Sequence, residues 1–395
     1  MTSRERINAV LEGKKPDRVP IDFCGTRTSG ISAFLYPELR DLLGLEKKKT
    51  RIIDVYQMLA LPDQDIIERM HSDVVLSPRY SYKLNTNMSG WKPYTFHGRE
   101  EYMVPSTFCP EVNETGDLLI SEGDEVEAKM PAGGYYFDYV EQSYSKERKD
   151  IDSIRFETWT EDDFSFCEKS AKALFTGTDK ALIGDFGMSL GRPSSFEAWM
   201  LDLGMNPNYL REYYDKKSDH IVNMLKMYKE AVDPFISIIF FGQDFGTQNG
   251  EMISPNMFSE LIAPYYKKIF TWIHENTSWK VFHHTCGSVT NLIESFIDCG
   301  VDILNPVQTS AVRMEPESLK KTWGGKIIFW GGGVDTQSIL PFGTPDEVRE
   351  QVQERLLSFG REGGYVFTPI HNIQKGVPPE NIAAAFDAAY EYGSI

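Results

Sequence analysis

The chain alternates short β-branched or aromatic runs with longer helical stretches, and eight such runs can be placed along it. Bounded by Gly, Pro, Asn or Asp, they stand at Arg18 to Cys24, Asp73 to Ser77, Ala181 to Gly187, Phe235 to Gln243, Lys280 to Cys286, Asp302 to Val307, Lys326 to Gly332 and Tyr365 to His371. Between most of them lie segments of helical character: Arg51 to Met70, Glu161 to Phe175, Tyr209 to Val232, Pro255 to Glu275, Val289 to Cys299, Pro345 to Phe359 and Pro379 to Tyr392. Strands separated by helices pair in parallel through right-handed crossovers, and eight such units are the number that closes a barrel. The expected architecture is an α/β fold, a (β/α)8 TIM barrel.

Two additions interrupt the alternation. Met1-Thr-Ser-Arg-Glu-Arg6 opens an amphipathic helix, an N-terminal helical extension with no apolar run of signal-peptide length behind it. From about 80 to 152 the chain carries short alternating segments, including Asp117-Leu-Leu-Ile-Ser121 and Gly134-Tyr-Tyr-Phe-Asp138, and no helical period. That stretch is too long for an ordinary connection and is expected to form β-hairpins near the barrel mouth, as a lid, a docking surface or a plain insertion. The length of 395 residues would allow two or three average domains, but one barrel with these additions covers the same range. A single barrel unit over 1–395 is therefore expected.

In such a barrel the chemistry collects where strands end, because side chains there face a common mouth. The strand ends here are polar: Cys24 with Arg27, Asp185, Gln243 with Asp244, His284 with Cys286, Asn305 with Gln308, Asp335, and His371 with Asn372. Some are expected to be solvated loop residues, yet their shared position argues for an enzyme. Arg27, Asp185, Asn305, Gln308, Asp335 and Asn372 are the candidates for substrate binding. Gln243 and Asp244 are the candidates for catalysis, Asp244 as a proton carrier or substrate-orienting group, with loop capping as the plain alternative.

His284 and Cys286 stand two residues apart in Lys280-Val-Phe-His-His-Thr-Cys286. On a strand that spacing puts both side chains on one face, where an imidazole and a thiol make half of a metal site. With only 5 Cys and 7 His in the chain, no other pair of them has a spacing that suits one ion. The structural alternative is a buried pair bonded to neighbouring carbonyls. His283, out of phase, is expected to face the helix layer. Gly331-Gly-Gly-Val-Asp335 lacks both the Lys-Ser/Thr of a P-loop and the spacing of a dinucleotide fingerprint. It reads as glycine required for close backbone approach, to a bulky ligand or within a sharp turn.

Composition bounds the function class. Asp and Glu number 58 against 41 Lys and Arg, and the net charge of −17 repels nucleic acid and anionic membrane. No run reaches the roughly 18 apolar residues of a membrane span, and an odd number of scattered cysteines points to a reducing compartment. A cytoplasmic location is expected.

Several of these motifs, taken in order, resemble the uroporphyrinogen decarboxylase superfamily: Arg4-Glu-Arg-Ile-Asn-Ala-Val-Leu-Glu-Gly-Lys-Lys-Pro-Asp-Arg-Val-Pro20, His284-Thr-Cys-Gly-Ser288, Gly300-Val-Asp-Ile-Leu-Asn-Pro-Val-Gln308, Gly331-Gly-Gly-Val-Asp335 and Pro378-Pro-Glu-Asn-Ile382. The resemblance covers the N-terminal segment and nearly everything from about Phe235 onward, and fails over 80–152. It implies one of two chemistries. The decarboxylases carry an Arg-Gln-Ala-Gly-Arg type segment for the porphyrinogen carboxylates and a central aspartate after the second strand. This chain has Phe23-Cys-Gly-Thr-Arg-Thr28, with Arg27 alone, and Ser77-Pro78 where the aspartate would stand.

The other branch comprises zinc-dependent methyltransferases that work with corrinoid proteins, and it is the one this chain resembles. There a His-x-Cys pair and a Cys in an Ala-Pro-Gly-Cys-Gly type final segment hold the zinc. His284 and Cys286 match the pair; in Phe367-Thr-Pro-Ile-His-Asn-Ile373, His371 occupies the cysteine position. The implied Zn2+ site thus has two His and one Cys, a less thiolate-rich set and a stronger Lewis acid, which suits an oxygen or nitrogen leaving group. The implied function is methyl transfer between a small methylated substrate (ether, amine or thioether) and the cobalt (cobalamin or another corrinoid) of a partner protein; a homodimer is a compatible assembly. The alternatives are a decarboxylase acting on a tetrapyrrole and a non-catalytic corrinoid- or tetrapyrrole-binding protein.

Overall fold

The computed structural model describes residues 1–123, 125–140 and 150–394. Seven parallel strands form one curled sheet, and in order around it they are Val74–Ser77, Ala181–Gly184, Ile238–Gly242, Lys280–His284, Ile303–Asn305, Ile328–Trp330 and Tyr365–Val366. Neighbours in space are neighbours in sequence, the order that repeated right-handed crossovers impose. The eighth expected run, Arg18 to Cys24, is not a ladder strand. Its central residues nonetheless fill the gap between the sheet's two edges: Phe367 N–H donates to Pro20 O (2.8 Å), Asp22 N–H to Phe367 O (2.8 Å), and Asp73 N–H to Ile21 O (2.7 Å). Pro20 offers a carbonyl but no N–H, so pairing stays local and the ladder does not extend. The result is a TIM-type barrel whose eighth stave is a short extended segment.

Inward-facing side chains close the barrel's lower half. Val74, Ala181, Ile183, Ile238, Phe240, Phe282, Ile303, Trp330 and Val366 form one buried cluster with Ile7 and Val10 of the N-terminal helix Ser3–Leu11. That helix, capped reciprocally by Thr2 and Glu5, plugs the bottom and leaves the C-terminal strand ends open. Ion pairs fix it there: Arg6 and Arg18 both bond the fully buried Asp73 carboxylate, at 2.6 to 3.0 Å, and Ile21 N–H adds a third donor.

The surrounding helices largely follow the sequence pattern, with Glu161–Gly177 and Pro345–Phe359 each opened by a capping box. Two expectations fail. Arg51 to Met70 is not one helix: it is an antiparallel pair, Arg51–Asp54 with Leu59–Leu61, followed by the short helix Gln64–Arg69. Pro255 to Glu275 is two helices, Pro255–Leu261 and Ala263–Asn276, because Pro264 cannot donate into a continuous helix and starts a new one instead.

The insertion is β-rich, as expected. Trp91–Thr95 and Glu101–Pro105 join the Arg51–Leu61 pair in one four-stranded sheet; Glu111–Val112, Leu118–Glu122, Glu125–Met130 and Asp138–Tyr139 form another. Gly134 to Phe137 lie outside the strands, and 124 and 141–149 of the anticipated insertion lie outside the described residues. Among the described residues no helix is long and apolar enough to cross a membrane.

Candidate metal centre at the barrel mouth

His284, Cys286 and His371 converge above the apolar plug, each offering one ligand atom, all within 4.8 Å of one another. Period-two geometry accounts for only part of this. The strand stops at His284, and Cys286 lies beyond it in a turn. Its position is set from outside: Thr285 N–H donates to Asn305 O (2.6 Å), Cys286 N–H to Asp244 Oδ1 (2.8 Å) and Gly287 N–H to Gln308 Oε1 (2.7 Å). Gly287, at φ +91°, lies against Gly246 so closely that a Cβ would meet its carbonyl carbon at 2.4 Å. The two loops interlock only because neither carries a side chain there.

Both imidazoles are oriented by amides. Asn305 Nδ2 donates to Trp330 O (2.9 Å), which turns Oδ1 toward His284 Nδ1 at 2.7 Å, where it also accepts from Thr28 Oγ1 (3.1 Å). An acceptor at that place puts the proton on Nδ1, so the lone pair of Nε2 faces Cys286 Sγ, 3.4 Å away. His371 repeats the arrangement with Asn372. The Asn372 Oδ1 lies 2.9 Å from Nδ1 and accepts from Gln374 Nε2, while Nδ2 donates to Gln57 Oε1 (2.6 Å). Acceptors behind metal-binding histidines are what fixes their tautomer in metal sites.

The electrostatics favour a neutral His284. Burial drives His284 down to about 4, opposed by the Asp244 carboxylate and assisted by His371. Burial also pushes the Cys286 thiol up, and Asp244 adds to the shift. A thiolate at that position therefore needs a cation beside it. Two imidazole nitrogens and one sulfur are a donor set that suits zinc and leaves one tetrahedral position over.

The remaining predicted residues divide into three groups. Asn305, Gln308 and Asn372 hold the triad's imidazoles and its turn. Arg27 faces the mouth, lying between Asp54 (3.5 Å) and Asp185 (3.6 Å), whereas Gln243 turns to the helix layer: its Oε1 accepts from Tyr266 Oη (2.9 Å), the ring that packs on His283, and its buried Nε2 has no partner. Asp185 is buried with neither oxygen hydrogen-bonded, 3.8 Å from Arg79. Burial lowers the Arg27 guanidinium, but Asp185 and then Asp54 outweigh it and hold its pKa above the usual range. Asp335, by contrast, belongs to its own turn, its carboxylate accepting from Gln337 N–H and Ser338 Oγ. The adjoining glycines serve the turn as well: at Gly332 (φ +72°) a Cβ would meet Val307 O at 2.6 Å, so protein backbone and no ligand occupies that approach.

His283 faces outward among Phe245, Tyr266, Phe270 and Phe296, as alternation requires. Sequence reasoning missed Asp22, Asp54, Thr28 and Gln57. Asp22 is wholly buried, accepting from Trp330 Nε1 (2.7 Å), Gly25 N–H and Ser29 Oγ, and burial raises it to about 6. A lone acid inside an apolar strand run was the signal available.

Residues 187–392 match the uroporphyrinogen decarboxylase (URO-D) family. Among curated proteins, the uroporphyrinogen decarboxylase of Psychromonas ingrahamii is 25% identical over 187 residues, 47% of this chain and 49% of that one. That of Pseudoalteromonas atlantica is 26% identical over 194 residues, 48% and 50% of the two chains. The chain thus spans about half the length of the curated relatives it matches. Among solved structures, a methyltransferase from Methanosarcina mazei superposes with a TM-score of 0.62 at 18% identity, over 99% of each chain. At that identity the likeness is one of fold.

Proposed function

The chain belongs to the uroporphyrinogen decarboxylase family, and from that premise we propose that it is a zinc-dependent methyltransferase, moving a methyl group from a small methylated compound to the cobalt of a separate corrinoid protein. The observation that carries this reading is the His284, Cys286 and His371 triad with its atoms within 4.8 Å, both imidazoles backed by amide acceptors. A decarboxylase acting on a bare tetrapyrrole has no use for such a cluster. Bound there, Zn2+ would supply Lewis acidity at the heteroatom that carries the methyl group.

In this reading the protein's own groups position and protonate. Asn305 and Asn372 keep both Nε2 atoms unprotonated. Gln243, bonded through Oε1 to Tyr266 in the helix layer, holds the strand end that carries Asp244. Asp244 is exposed at the mouth, bonded to Cys286 N–H, and is the group we assign to return a proton to the leaving heteroatom. The bond between heteroatom and methyl breaks with its electron pair left on the heteroatom; the methyl takes the pair offered by reduced cobalt. Arg27, held between Asp54 and Asp185, is the group we assign to orient the substrate.

The test is incubation with reduced cobalamin and a panel of methoxyaromatics, methylamines and methyl thioethers, following methylcobalamin by absorbance. Formation of methylcobalamin that is lost in Cys286→Ala supports the reading. Decarboxylation of uroporphyrinogen by the zinc-loaded protein, with no donor demethylated, would replace it with the decarboxylase alternative.

A further inference from the structure

His371 is not only a member of the triad; it also lines a cavity of about 670 Å³ that opens outward from the barrel mouth. One wall is Phe342 and the residues around it, and the opposite wall is Tyr56, Tyr136 and Phe137. Four aromatic side chains in one cavity of this size are unusual for a site serving a one-carbon amine or alcohol, whose volume is on the order of two waters, or ~60 Å³. The size instead lies within the range of pockets that enclose ring-sized ligands. Two of the rings are uncovered: Phe342 is 84% exposed and Tyr136 49%. Large apolar side chains facing a concave surface mark a place where another apolar body belongs.

The insertion wall is tied to the triad. Phe137 N–H donates to Tyr56 O (2.9 Å), and the next residue, Gln57, accepts from the Asn372 that orients His371. Tyr56, Gln57, Tyr136 and Phe137 all lie outside the family-matched residues 187–392. His371 and Phe342 thus lie within the family-matched residues, and Tyr56, Tyr136 and Phe137 outside them.

We propose that this vestibule seats the aromatic ring of the methylated substrate, with Tyr136 and Phe342 as specificity determinants that select ring-bearing methyl ethers over one-carbon amines and alcohols. The inference rests on the methyltransferase reading for the word substrate, but ring binding itself requires neither turnover nor a corrinoid partner. Ring-on-ring contact of about 0.5–1.5 kcal/mol per pair corresponds to roughly two- to tenfold in affinity.

The experiment is titration calorimetry on the full-length protein as purified, with 2-methoxyphenol, methoxybenzene, methanol and methylamine as separate probes. The expected result is saturable binding of both ring compounds at least about tenfold tighter than either one-carbon compound. Tyr136→Ala and Phe342→Ala should each weaken ring binding by roughly two- to tenfold, with Tyr136→Phe restoring it. Because both side chains are partly or largely exposed, neither truncation removes core packing. Equal affinity for rings and one-carbon compounds, or ring affinity unchanged in both alanine variants, would overturn the proposal. Ring binding without any methyl transfer would leave the vestibule assignment standing and remove the methyltransferase reading; transfer from methylamine alone, without ring binding, would do the reverse.

Discussion

Asn305 Oδ1 sits 2.7 Å from Nδ1 of His284, and the same side chain's amide nitrogen donates to Trp330 O. One residue therefore decides which nitrogen of His284 carries its proton. Asn305→Leu should lower zinc affinity by about 10- to 100-fold, the usual effect of losing such a partner. Asn305→Asp, which keeps an acceptor facing Nδ1, should retain more of it. Competition against a chromogenic chelator reads both values; equal affinity of the leucine variant and wild type would mean that Asn305 does not orient the ring.

The plug at the barrel bottom makes a separate prediction. Asp73 is fully buried beneath Arg6 and Arg18. Asp73→Leu leaves two guanidinium groups without their shared carboxylate and should cost about 3 kcal/mol or more, seen as a lower urea midpoint. Zinc content of the folded variant should be unchanged, since the network lies at the opposite end of the barrel from the triad.

Asp22 gives a pH signature. Its folded value is raised to about 6 by burial, above the ordinary 3.8. A raised value means that the folded state binds the proton more tightly than the unfolded chain. The stabilisation is complete below about 4 and is lost as pH rises through about 6, by roughly 3 kcal/mol for this group. Urea unfolding of wild type and Asp22→Asn at pH 4 and pH 7.5 should show their stability difference shifting by that order in favour of the variant at the higher pH. A pH-independent difference would contradict the assignment.

His283 should behave unlike its neighbour. Both ring nitrogens are buried without a hydrogen-bond partner, in an aromatic nest. His283→Leu removes an unsatisfied N–H and should raise stability by about 1 kcal/mol, with zinc content unaltered. A loss of zinc in this variant would mean that the strand's two faces are assigned the wrong way round.

The barrel was legible because its strands are buried on both faces and so stand out as short runs such as Ile238 to Gly242, whereas Arg51 to Met70 was misread. There Ile52, Ile53, Leu59 and Leu61 supply apolar residues that fit either period, and Met58, at φ +53°, turns the chain between two strands. The spacing of His284 and Cys286 pointed to their pairing, although Cys286 lies past the strand's end and is held there by Asp244 and its neighbours. The bond from Asn372 to Gln57 spans 315 positions and the bond from Thr28 to Asn305 spans 277; contacts that distant leave no local pattern. Asp335 looked like a mouth residue because it follows a strand, yet its carboxylate had nearer donors in its own turn.

The most direct measurement is elemental analysis of the purified protein and three variants. The account predicts about one zinc per wild-type chain, well below that in Cys286→Ala and His371→Ala, and the wild-type value in His283→Leu. Zinc stoichiometry unchanged in both triad variants, or no zinc retained by a folded wild-type chain supplied with it, would contradict the claim that His284, Cys286 and His371 form a metal centre.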